Sequence, residues 1–533
     1  MSPSTVTAIN HRRQHPDGAF SDVVTFRFPP HALRLLDVDQ GQETVKLRDI
    51  AHYRYVKALE RGQQSPTIVT FSHLRQDQPV AQRFPGLSYT TEDGERLLSA
   101  NSFITYTMRT LFRRGWICYD DGRWWLAVPD NQPQWQQRAG AVLQHLLALD
   151  HLYLETERET SLDFTHLPFS VDQDLVPVAG CAFLDDIARR LQADLAFNSA
   201  FFLLEHDDIF NRHSALCEAH SFWMHDGVIQ RPPLFRRGAI WQHQDGRWQI
   251  GLLSLEDLRI LLPNGLRLVH CNSPLSHGDL PFTLDDQGPS AVTLYTRHYG
   301  VAGQGRVLGR TPLHKGRLEL TVVDRRIVGL KQDGNLTLPH NGFVISFAPG
   351  PLALDELETT LQHDLSLGYQ FTAPHHQTVQ QGLQTGPILL QGGQSPLTNG
   401  YLERVEQFWP SRTLPSGEWQ IGVVPTSYKT DVDRTRAGRA GIGIDGDGSL
   451  ILVMVAGVND GMGIAGADSS GATLGELAHL LQEAGAQSAL NLDGGGSTQA
   501  IYHGRQALVP GDRRGTPGHP YRRMIPSAGI VAL

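Results

Sequence analysis

The sequence predicts an α+β protein. Mixed, largely antiparallel sheets with few helices fill residues 161–533, and a smaller α/β accessory region precedes them over residues 1–160. Three observations lead to this division. First, turn dipeptides punctuate the larger part: Asp245-Gly246, Asn264-Gly265, Asp333-Gly334, Asn341-Gly342 and Asp447-Gly448 each separate short apolar runs. Second, that part has few long helical patterns, and its best-defined helix starts at Thr473. Third, the first 160 residues have a different texture, in which a helical pattern leads into a hairpin.

The elements follow in chain order. Ile104, Met108, Leu111 and Phe112 share one helical face within 103–112. Residues 116–119 and 123–128 then read as strand, turn and strand around Asp120-Asp121-Gly122. Helix followed by hairpin is the outline of a winged-helix end, with Arg109, Arg113 and Arg114 nearby, but the weak pattern and the acidic total favour a small α/β accessory domain with a solvated basic edge over DNA binding. Residues 141–154 form an apolar helical run. The polar stretch 375–420 reads as surface loops around one strand, Pro387-Ile388-Leu389-Leu390. Residues 441–455 form a hairpin through Asp445-Gly446-Asp447-Gly448. Thr473-Leu474-Gly475-Glu476 is a capping box that opens a helix with Leu474, Leu477, Ala478 and Leu481 on one face, and Gly485 stops it. Ser488 to Leu492 is a strand running into Asp493 and three glycines, and 498–502 is another strand. No internal repeat is evident.

The chain has 533 residues, a soft prior of roughly three domains at about 150 residues each, with two larger units equally compatible. It is 40% hydrophobic and 19% charged, as in ordinary globular proteins. The net charge of −9 argues against nucleic acid as a default partner. Cys118, Cys181, Cys217 and Cys271 are widely spaced, which predicts buried thiols rather than a disulfide framework. No apolar segment reaches the roughly 18 residues needed to span a bilayer. No signal-peptide pattern is visible near Met1, so the expected location is cytoplasmic. Oligomeric state has no signature in the sequence.

The richest chemistry lies in Asp493-Gly494-Gly495-Gly496-Ser497-Thr498. An acid at a strand end projects from a rigid element. Glycines let the backbone turn sharply and approach a ligand closely, and their amides can face an anion. Ser497 and Thr498 add hydroxyls. A bulged hairpin turn, with the Asp493 carboxylate capping the loop's own amides, is the plain structural alternative.

Asn491-Leu492-Asp493-Gly494-Gly495-Gly496-Ser497-Thr498 resembles the signature of the phosphodiester glycosidase family. So do Ala196-Phe197-Asn198-Ser199-Ala200-Phe201-Phe202, Leu294-Tyr295-Thr296, Leu338 to Val344, Gln384-Thr385-Gly386-Pro387-Ile388-Leu389, Arg439 to Ile444, Thr473 to Ala478, and Arg523 to Ala528, all in order from about residue 160 to 533. The resemblance implies a hydrolase that cleaves the glycosidic bond of a sugar-1-phosphodiester, such as an N-acetylglucosamine-1-phosphodiester, with a sugar phosphate or glycan as its substrate. It implies Asp493 as base or nucleophile and Arg439 and Arg523 on the phosphate, assisted by the Gly494, Gly495 and Gly496 amides and Ser497. Asn198 would position the sugar or the carboxylate, and Ser199, Thr385, Gly386 and Thr498 complete the expected substrate-binding set. Two positions depart from the family pattern: Ser199 stands where glycine is usual, and Ala456-Gly457 where Asp-Gly often follows the central strand. Ala456 motivates the alternative of a sugar-phosphate or polysaccharide-binding protein that does not hydrolyse.

Other patterns carry less. Gly461-Met462-Gly463-Ile464-Ala465-Gly466 fits a dinucleotide fingerprint, but the helix opens seven residues after Gly466 rather than directly. Asp445-Gly446-Asp447-Gly448 lacks the remaining ligands of a calcium loop. Glu205, His206, Asp207, Asp208, His213, Glu218 and His220 have no metal-motif spacing and read as solvated loop residues. No cofactor is expected, and a divalent metal is left open.

Overall fold

A computed structural model describes residues 5–15, 18–38, 179–203, 217–219, 221–261, 378–398, 436–458, 466–513 and 520–533, together with isolated strands and short stretches between them. The elements that build the site are β1 (Thr7–Gln14), β2 (Phe20–Phe28), β3 (Leu33–Asp37), α1 (Leu184–Arg190), β4 (Leu195–Asn198), β5 (Arg237–His243), β6 (Val379–Gln384), β7 (Ile388–Leu390), β8 (Arg439–Asp445), β9 (Leu450–Val455), α2 (Leu474–Glu483), β10 (Ala486–Asn491), β11 (Ala500–Tyr502) and β12 (Ser527–Val531).

A six-stranded sheet in the order β1-β2-β9-β8-β10-β7 forms the centre. A five-stranded sheet ordered β3-β12-β4-β11 and Arg505–Gln506 lies beside it, and another contains β6 and β5 as neighbours. All pairings within these sheets are antiparallel, and α1 and α2 are the α-helices among the described residues. The expected α+β architecture with few helices is therefore the observed one. Residues 7–37, grouped by sequence with the accessory region, lie inside these sheets: β2 pairs with β9 (Phe26 opposite Leu452) and β3 with β12 (Leu35 opposite Gly529).

The continuous apolar run of β9 has a simple origin, because both faces of its sheet are covered. Leu450, Leu452 and Met454 enter a cluster with Phe26, Phe28, Phe197 and Trp223. Ile451, Val453 and Val455 point the other way, to Leu474, Leu477 and Leu481 of α2. Helix α2 lies close because β8 carries glycine beneath it: a Cβ at Gly441 would stand 2.9 Å from Leu481 Cδ1. Both bonds of the expected capping box form, Glu476 N to Thr473 Oγ1 at 3.2 Å and Thr473 N to Glu476 Oε2 at 2.9 Å. Gly485, at φ +95°, ends the helix as expected.

Other expectations fare unevenly. Strands Ile117–Asp120 and Arg123–Val128 do form the predicted hairpin. The helix at 103–112, nearly all of the run at 141–154, and Asn264-Gly265 lie outside the described residues. Asp447-Gly448 closes the β8–β9 turn, where Asp445 Oδ1 accepts from the Asp447 and Ser449 amides at 2.9 Å each. Asp333-Gly334 instead ends the strand Arg326–Gly334. The stretch 375–420 needs correction, since β6 sits inside its sheet and Gln384, Thr385 and Glu406 are buried. Polarity there serves backbone groups in the interior: Gln384 Nε2 donates to the carbonyls of Phe235 at 3.0 Å and Leu253 at 2.7 Å.

Candidate functional site

The Asp493 loop stands where two sheets end together. Asn491 closes β10 opposite Gly441 of β8, and Asn198 closes β4 opposite Ala528 of β12. The chain leaving β10 is caught at once, because the Asp493 amide donates to the Ser199 carbonyl at 3.0 Å. Asn198 then holds both sides of the loop. Its Nδ2 donates to the Asp493 carbonyl at 2.6 Å, and its Oδ1 accepts from the Gln499 amide at 3.1 Å. Ser199 Oγ donates to Ser527 Oγ at 3.1 Å, joining the loop's support to β12.

The three glycines meet separate demands. A Cβ at Gly494 would come within 2.8 Å of the Gly438 carbonyl oxygen. Gly495 adopts φ +61°, a region that side chains disfavour. A Cβ at Gly496 would sit on the Asp512 carboxylate. The expected cradle of three amides does not form. Gly494 N donates to Asp493 Oδ1 at 2.9 Å and Gly495 N to the Gly438 carbonyl at 2.7 Å, so two of the three are committed within the protein. One Asp493 oxygen therefore caps its own loop, as the structural alternative anticipated, while the residue stays partly exposed.

The two arginines differ in setting. Arg439 is buried, and its Nε donates to the Ala472 carbonyl at 2.9 Å, alongside Gly494. Arg523 is partly exposed and forms a two-pronged pair with Asp512: Nε to Oδ2 at 2.8 Å and Nη2 to Oδ1 at 2.9 Å. Its Nη1 is 3.4 Å from Ser497 Oγ. Asp512 thus joins the site although no motif marked it; the nearest signal was the Pro510-Gly511-Asp512 turn sequence.

Behind the loop, the Thr385 hydroxyl donates to the Asn491 carbonyl at 2.6 Å, and Asn491 Nδ2 donates to the Gly386 carbonyl at 3.0 Å. Thr385 is fully buried. Both Thr385 and Gly386 brace β10, and Thr498 is buried beside Gly438. Glu406, also missed from sequence, bonds the Gly238 amide at 2.7 Å and the Ile388 amide at 2.5 Å. Burial pushes its carboxyl up to about 7, against the lowering effect of those amides, Tyr401 and Arg237. Ala456 is buried in the central cluster; its amide donates to the Asp22 carbonyl at 2.9 Å, and its carbonyl accepts from Ser469 Oγ at 2.5 Å.

Among the described residues, no three His, Cys, Asp or Glu side chains are grouped to hold a metal. Residues 204–216 and His220 lie outside them, whereas Glu218 is buried. The described residues include no helix long and apolar enough to cross a membrane. Cys181 and Cys217 are partly exposed, which corrects the expectation of buried thiols at those two positions; the Cys118 and Cys271 side chains lie outside the described set.

An antiparallel α+β scaffold thus presents an acid-glycine loop beside an arginine–carboxylate pair. Residues 327–531 match the family model for phosphodiester glycosidase. No curated protein matches the chain. Among solved structures, a hypothetical protein from Synechocystis shares 16% identity at a TM-score of 0.40; the match covers 99% of this chain and 62% of that one. The zebrafish N-acetylglucosamine-1-phosphodiester alpha-N-acetylglucosaminidase catalytic domain, auto-inhibited by its pro-peptide, shares 16% identity at a TM-score of 0.22, covering 60% of this chain and 90% of that one. This chain thus spans about 62% of the length of the Synechocystis protein.

Proposed function

We propose that the chain hydrolyses the bond between an anomeric carbon and phosphate in a sugar-1-phosphodiester, with an N-acetylglucosamine-1-phosphodiester as the model substrate. The observation that carries this reading is Arg523, partly exposed, oriented by Asp512 and directed at Ser497 on the Asp493 loop. An oriented guanidinium suits a phosphate well, because its donors match the oxygen geometry. The departing group is a phosphate monoester whose last pKa is about 6 by analogy with phosphorylated side chains, so it leaves with little help from a general acid. What the reaction needs is charge stabilisation at phosphate and an acid side chain near the anomeric carbon. Asp493 serves as base or nucleophile. Arg439 is buried and holds the Ala472 carbonyl at the start of α2 rather than reaching the substrate from solvent.

The competing reading is binding of a sugar phosphate without turnover. It is favoured by the commitments of the carboxylates, Asp493 Oδ1 to Gly494 and Asp512 to Arg523, and by the absence of an acid side chain at Ala456. A chromogenic sugar-1-phosphodiester separates the two. Release of sugar supports hydrolysis; saturable binding without release supports the alternative.

A further inference from the structure

Glu406 is wholly buried, and its carboxylate joins two strands. Oε2 accepts from the Gly238 amide of β5 at 2.7 Å, and Oε1 from the Ile388 amide of β7 at 2.5 Å. The π-helical turn Tyr401–Val405 delivers the residue there, since the Glu406 amide donates to the Tyr401 carbonyl at 3.0 Å. The turn Thr385-Gly386-Pro387 lies between the two anchored amides: Thr385 N donates to the Gly238 carbonyl at 3.0 Å, and Ile388 follows Pro387 directly. Gly386, at φ +88°, faces the carboxylate, and a Cβ there would overlap Glu406 Oε2.

The same turn grips Asn491, the last residue of β10. Asn491 N donates to the Pro387 carbonyl at 3.0 Å, and Asn491 Nδ2 to the Gly386 carbonyl at 3.0 Å. The Thr385 hydroxyl donates to the Asn491 carbonyl at 2.6 Å. Asp493 follows two residues later. We propose that Glu406 is a positioning residue for the Asp493 loop: its carboxylate clamps the Thr385–Pro387 turn between β5 and β7, and the turn sets the register of Asn491 and so the placement of the Asp493 side chain.

The task calls for a carboxylate. Two amides from different strands converge on one point in a dry interior, and each needs an acceptor. A carboxylate offers an oxygen to each, whereas a carboxamide offers one oxygen and turns a donor toward the other amide. The Asp493 amide is held separately by the Ser199 carbonyl, so loss of the clamp tilts the loop without releasing it. A shift of about 1 Å at a reacting group can cost on the order of 100-fold in rate, so a tilt is enough to slow turnover. The effect on turnover rests on the glycosidase reading; the effect on the order of the loop does not.

The test compares Glu406→Gln, Thr385→Val and the double variant by amide hydrogen exchange and by kinetics on the chromogenic diester. Thr385→Val cuts the bond to the Asn491 carbonyl and leaves the carboxylate's own bonds in place. Each single variant should exchange faster than the wild type at residues 491–495, with β2 unchanged. Each should lower kcat by about 10- to 100-fold and leave KM within about twofold, as when alignment in the transition state is lost. The double variant should lose little more than the worse single one, because both changes act through Asn491. Wild-type exchange at 491–495 in Glu406→Gln, or losses that multiply in the double variant, overturns the proposal. Should Glu406→Gln not fold, Glu406→Asp takes its place, since it keeps the negative charge and is one methylene too short to hold both amides. If the protein never releases sugar, the exchange comparison still decides the clamp, so failure of the glycosidase reading is recognised separately.

Discussion

Asn198 Nδ2 donates to the carbonyl of Asp493 at 2.6 Å, across 295 residues of sequence, and so locks the candidate catalytic loop to the end of a strand in another sheet. The same side chain accepts from Gln499 on the far side of the glycines, so one buried amide spans the whole loop. Asn198→Ala should therefore destabilise the fold by about 1–3 kcal/mol, the cost of leaving buried backbone groups unmet. It should also lower kcat more than KM, since the loop loses its register. Chemical denaturation alongside diester kinetics checks both.

Asp493→Asn keeps an oxygen that can accept from Gly494 N and removes only the charge. The fold should survive with an unchanged denaturation midpoint. Turnover of the chromogenic diester should fall on the order of 100-fold or more, as expected when a positioned acid–base group is lost. Near-normal activity in this variant would remove Asp493 from the mechanism.

Gly496→Ala places a methyl group on the Asp512 carboxylate and should displace it from Arg523. The expected cost is about 1–3 kcal/mol of overpacking strain, with loss of diester binding. Arg523→Lys removes the two-pronged geometry without removing the charge, so it should raise KM with a smaller stability change. Equal KM values for Arg523→Lys and wild type would count against a phosphate role for this side chain.

Glu406 makes stability depend on pH. Its carboxyl is raised from 4.5 to about 7 in the folded chain, so between those values the folded state holds more proton than the unfolded state. Stability should be greatest, in this respect, below about 4.5 and should fall as pH rises through about 7. The span corresponds to about 3 kcal/mol at 1.36 kcal/mol per unit. Glu406→Gln removes the titrating group while keeping an acceptor for one of the Gly238 and Ile388 amides, and should flatten this slope at some cost in stability. Denaturant midpoints measured across the range decide it; an unchanged slope in the variant would assign the pH dependence to other groups.

The sequence by itself determined the local elements of the C-terminal part. The capping box at Thr473, the stop at Gly485 and the turn at Asp445–Gly448 are legible because their causes lie within a few residues. The acid-glycine loop is legible for the same reason. Tertiary structure alone decided what the loop touches. Each glycine answers to a distant partner, Gly438 or Asp512, and two of its amides are spent within the protein. It also decided that polar residues such as Gln384 and Glu406 belong inside, because the backbone groups they satisfy come from other strands. The strands Phe20–Phe28 and Leu33–Asp37 pair with strands more than 400 positions later, and no local pattern records a strand's distant neighbour. Asp512 stayed hidden for the same physical reason: a single carboxylate acquires a role only from the arginine that folding brings to it.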